Sequence, residues 1–151
     1  MLWEEFRSHA LPLLGEHFPS ELIEDNGDSI VFTDRRSWAS YLLTENARGI
    51  NIGWYGERNT VSTIFTTPSI ELATIALTLL AHEGLGKLVD MHYASDELLG
   101  PVPDTDYSIR KDRSRGFHLT HKTDSTRTAK CAYFEYARAI AEAYGLQHPQ
   151  A

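Results

Sequence analysis

A chain of 151 residues, 42% hydrophobic and 23% charged, has the size and balance of one folded domain and excludes a wholly disordered chain. Its net charge of −7 argues against a nucleic-acid partner, since binding phosphates depends on Lys and Arg. The acidic stretch Leu2-Trp3-Glu4-Glu5 and the lone Cys131 lead us to expect a cytoplasmic protein without an export signal, an internal disulfide or a membrane span.

Leu2, Phe6, Ala10, Leu13, Leu14 and Phe18 recur at helical steps, with Pro12 among them. This predicts a short helix from Trp3 to Ala10, then a turn of helix from Pro12 that Gly15 or Pro19 finishes. Asn26-Gly27 marks a turn at the end of residues 21–28, and four β-rich runs follow: 29–33, 38–44, 50–55 and 61–65. Their short polar connections predict an antiparallel meander.

Residues 67–86 form the longest apolar segment with marked ends. Thr67 is a cap, Pro68 suits the first helical position, and Gly84 or Gly86 suits the exit. Nine of the twelve residues from Ile70 to Ala81 are apolar, so this helix is expected at the centre of the core. Residues 88–106, with Pro101 and Pro103, read as an exposed connector, with Ser95-Asp96-Glu97 able to cap a helical turn.

Gly116-Phe117-His118-Leu119 then echoes Gly49-Ile50-Asn51-Ile52, each preceded by Arg, and a second helix is expected from Ala129 to Tyr144, stopping at Gly145. The fold expected is α+β: one domain over residues 1–151, with a largely antiparallel sheet on a central helix and a C-terminal helix, in two strand-strand-helix units joined by 88–106.

Catalytic patterns are sparse. His118 and His121, three apart on a strand, face opposite sides and make a poor metal pair. His82 suits a helix C-terminus, and the acids of the connector lack a calcium loop around them. Cys131 reads either as a thiol near a helix start or as a small buried hydrophobe. No nucleophile elbow or phosphate-binding glycine loop is present, so no catalytic residue, metal or cofactor is assigned.

The remaining signal is that of a binding surface. Trp54 shares its strand parity with Ile50 and Ile52 and is expected in the core, which leaves Tyr55 and Glu57 at the hairpin end as candidate contacts. Asp96, Glu97, Asp104 and Asp106 of the connector complete the expected partner-binding set, which would steer a basic protein surface.

The order of these elements resembles the immunity proteins of bacterial polymorphic toxins, in particular the antitoxins of tuberculosis-necrotizing-toxin type NAD glycohydrolases. The likeness spans residues 20–146. It is carried by Gly53-Trp54-Tyr55-Gly56-Glu57-Arg58, the Ser69-initiated apolar helix, its Gly86-Lys87 exit, the Pro-containing connector and Tyr107-Ser108-Ile109. The resemblance implies a non-enzymatic inhibitor, a monomer or weak dimer, that covers the active site of a cognate toxin. A secretion chaperone and a small enzyme are the alternatives.

Overall fold

The structure is a computed structural model that describes residues 2–56, 60–89, 99–113 and 116–149. Helix α1 (Trp3–His17) leads through a short 3-10 turn into five strands, β1 (Ile23–Asp25), β2 (Ile30–Asp34), β3 (Ala39–Asn46), β4 (Gly49–Tyr55) and β5 (Val61–Thr67). Helices α2 (Ile70–Glu83) and α3 (Leu85–Leu88) follow. Strands β6 (Gly100–Pro101), β7 (Tyr107–Lys111), β8 (Phe117–His121) and β9 (Ala129–Cys131) precede helix α4 (Phe134–Gln147). The architecture is α+β.

Among the described residues nine strands form one antiparallel sheet in the order β1-β2-β3-β4-β5-β9-β8-β7-β6. Two meanders therefore meet at a β5–β9 seam, where Phe65 pairs with Cys131 and Thr66 with Lys130. Each inner strand delivers its chain into a fourteen-residue helix after two residues, β5 into α2 and β9 into α4. The echo noted in the sequence falls on equivalent strands, with Gly49–Ile52 in β4 and Gly116–Leu119 running into β8, each next to the strand that enters a helix. At the outer edges lie β1, three residues long, and β6, with two.

One face of the sheet carries the core. Alternate residues Phe32, Tyr41, Leu43, Ile50, Ile52, Phe65, Cys131, Leu119 and Ile109 are buried against α1, α2 and α4. α2 is buried on seven of its fourteen residues and lies between the other two helices. It is capped at both ends. Ser69 accepts from the Leu72 amide, and Arg36 donates to the Ala81 and His82 carbonyls while gripping the buried Asp34 at 2.9 Å through Nε and Nη2. Gly84 ends the helix with φ +81°.

Several expectations are corrected by packing. α1 runs unbroken through Pro12, because Ser8 and Pro12 face water, where solvent can serve the carbonyl that proline cannot, while Phe6, Ala10 and Leu14 stay packed. Glu45 of β3 accepts from the amides of Leu2 and Trp3 and so closes the helix start. Thr67 is not the cap of α2 but a buried link, its hydroxyl donating to the Thr128 carbonyl and accepting from the Ser69 amide. Residues 23–25, read as part of a turn region, form edge strand β1.

The segment 88–106 is not wholly exposed, since Leu88 and Val102 are buried and Gly100-Pro101 pairs with β7 as an edge strand, where proline is tolerated. Residues 129–131 extend the sheet as β9 rather than starting the last helix. α4 passes Gly145 without stopping, and there the missing side chain admits the Asp104 carbonyl, which a Cβ would meet at 3.2 Å.

Candidate functional site

Among the described residues no helix covers the second face of the sheet, and its side chains are set by the same alternation that buries the first. Cross-strand register lines up one row over six strands: Thr44 of β3, Asn51 of β4, Thr66 of β5, Lys130 of β9, His118 of β8 and Arg110 of β7. The row is polar throughout, and three of its six members are basic or imidazole side chains. Asp112, in the β7–β8 turn, braces it by bonding Lys130 at 2.9 Å and approaching His118 Nε2 at 3.2 Å.

Two depressions open beside the row. One, of about 320 Å³, lies among Asn46, Arg48, Asn51, Thr66 and Lys130. The other, of about 490 Å³, lies among Arg48, Thr66, Asp112, His118 and Lys130. Arg48, on the β3–β4 turn, overlooks both. The Thr66 hydroxyl between them is shielded from solvent and has no hydrogen-bond partner.

The end of the sheet that carries the β4–β5 connection also collects exposed aromatics. Trp38 is 71% exposed and holds φ +56°, Trp54 is 42% exposed, and Tyr133 is 37% exposed. Trp54 keeps the parity expected, opposite the buried Tyr41 on the helix face, but it is not core, since it lies next to the end of β4 and stays exposed. Tyr55, facing the open side opposite Ser40 and Val61, is half-buried.

The expected contact residues do not converge. Asp104 is exposed in the β6–β7 turn with φ +61°. Asp106 is half-buried and pairs with Lys122 at 3.3 Å. Register puts both at the end of the sheet opposite Tyr55. Glu57, Asp96 and Glu97 lie outside the described residues.

Family-model, curated-protein and solved-structure comparisons find no match to this chain.

Cys131 points into the core, where burial pushes its thiol far above the ordinary range, so it is a small hydrophobe and not a nucleophile. His118 and His121 do face opposite sides. His121 packs edge-on against Tyr107 at 5.2 Å, and its Nδ1 accepts from the Asp124 amide at 3.0 Å. Among the described residues no group of three His, Cys, Asp or Glu is placed to hold a metal ion, and no helix is long and apolar enough to cross a membrane. Parity along β4 already put Asn51 on the outward face. The row as a whole was not legible, because it exists only through the register that pairs Thr66 with Lys130, 64 residues further along the chain.

Proposed function

We propose that this chain is a non-catalytic protein-binding module of the immunity type, which inhibits a cognate toxin of the NAD glycohydrolase class by covering its active site. The observation that carries the reading is the one-sided sheet. Nine strands at about 4.8 Å spacing make an open face about 40 Å across, broad enough for the ~800 Å² per partner of a standard stable interface. Tyr55 on this face, with Trp38 and Trp54 exposed at the same end of the sheet, adds large aromatic side chains of the type that supply most of the affinity in such interfaces.

The sheet edges favour this over a chaperone that captures an extended segment. Strand addition needs an edge long enough to pair with the segment, and β1 and β6 have three and two residues. The test is co-purification with the product of the adjacent upstream gene, followed by an NAD-hydrolysis assay of that product with and without this chain. A one-to-one complex that no longer hydrolyses NAD is the expected result. Binding that leaves hydrolysis intact would favour the chaperone, and failure to bind would return attention to an enzyme.

A further inference from the structure

The charge of the open face runs against the charge of the molecule. Residues 1–105 carry 16 acidic and 6 basic side chains, whereas residues 106–151 carry 8 basic and 5 acidic ones. Arg110 and Lys130 stand in the central row, and Arg48 reaches it from the opposite half. Among the described residues Arg48 makes no ion pair. The shielded hydroxyl of Thr66 lies between Arg48 and Lys130, and a buried hydroxyl without a partner is costly until a ligand atom reaches it.

We propose that the depression between Arg48 and Lys130 receives a carboxylate side chain from an acidic loop of the protein partner. Arg48 supplies a planar fork of donors and Lys130, aimed by Asp112, a point charge, while the Asn51 amide and the Thr66 hydroxyl lie alongside. This rests on the protein-binding reading above and replaces a basic contact surface on the partner with an acidic one. Phosphate of a nucleic acid would meet the same cations, but the net charge of −7 and Asp112 within the cluster oppose a polyanion more than a single carboxylate.

The test is an NMR titration of the isotope-labelled full chain with an otherwise uncharged peptide carrying one central glutamate, the same peptide with lysine in its place, and a single-stranded oligonucleotide. The glutamate peptide is expected to move the amide resonances of Arg48, Asn51, Thr66 and Lys130. Arg48→Glu and Lys130→Gln should each weaken it about tenfold, the equivalent of one charge-assisted hydrogen bond. Raised salt should weaken it further. Arg48 is an exposed turn residue, so its variant keeps the fold. The proposal is overturned if the glutamate peptide causes no shifts or shifts elsewhere, if the lysine peptide takes the row instead, or if the oligonucleotide binds there as tightly. No toxin is present in this titration, so its failure leaves the inhibition assay standing, and failed co-purification leaves the titration standing.

Discussion

Gly49 and Gly116 introduce matching strands, β4 and β8, on either side of the β5–β9 seam, yet the first is pressed much harder against backbone than the second, whose nearest main-chain atom, the Cys131 carbonyl oxygen, a Cβ would meet at 3.2 Å. A Cβ on Gly49, whose φ is +120°, would lie 2.2 Å from the Thr67 carbonyl oxygen. On Gly116 it would first meet the flexible end of Lys130, at 2.9 Å. The same contrast runs through each half. The first closes around α2 with caps at both ends and the Arg36–Asp34 clamp, whereas the N-terminus of α4 has no side-chain cap. α4 is held instead by aromatic contacts, with Tyr144 edge-on to Tyr107 at 5.0 Å and stacked on His148 at 4.2 Å, and His148 bonded to Glu71. One plan has thus been finished as a rigid frame on one side and as a more adaptable, basic surface on the other.

Alkaline pH tests this most severely. Burial pushes Tyr41 up to about 12, and it holds Tyr107 and Tyr136 higher still, against an ordinary value of 10.0. An unfolded chain ionises these phenols near pH 10, while the fold keeps them protonated. Stability is therefore intact below pH 10 and falls as pH rises through the folded values. Two of the three lie in the second half, so amide exchange followed from neutral pH to pH 12 should show β7–β9 and α4 losing protection first. Simultaneous loss would mean the halves do not differ in resilience.

Glycine substitution comes next. Gly49→Ala should cost about 3 kcal/mol, from strained backbone and a contact with main chain that cannot yield, and Gly116→Ala about 1 kcal/mol. Denaturant midpoints of the two variants measure the difference directly, and equal losses would break the comparison. Asp34→Ala, which leaves Arg36 and the carbonyls of α2 without their organiser, should cost about 2 kcal/mol by the same measurement. The smallest effects separate two buried tyrosines. Tyr136→Phe loses a bond to the Ala76 carbonyl and should cost about 1 kcal/mol, whereas Tyr107, whose hydroxyl has no partner, should accept Phe with a change of about 0.5 kcal/mol or less.

What could be read from the residues was whatever depends on local pattern. The core helix from Ile70 to its Gly84 exit, the four strands before it and the opposed faces of His118 and His121 follow from spacing alone. What escaped depended on distant packing. Pro12 stays helical because of what its neighbours bury, Ala129–Cys131 becomes a strand because β5 and β8 offer it edges, and Trp54, next to the end of β4, is exposed although it shares the parity of the core. The candidate site shows the same division, since parity marks each outward residue while only register assembles Thr44, Asn51, Thr66, Lys130, His118 and Arg110 into one row.

The two outermost strands have a consequence for life at high concentration. A sheet this wide would be a template for stacking one molecule beside the next if its borders were long and apolar. Here one border is three residues bearing Glu24 and Asp25, with Asp25 clasped by Arg7, and the other is two residues of which Pro101 has no amide to offer. The molecule can therefore accumulate to high concentration without polymerising through its own strands.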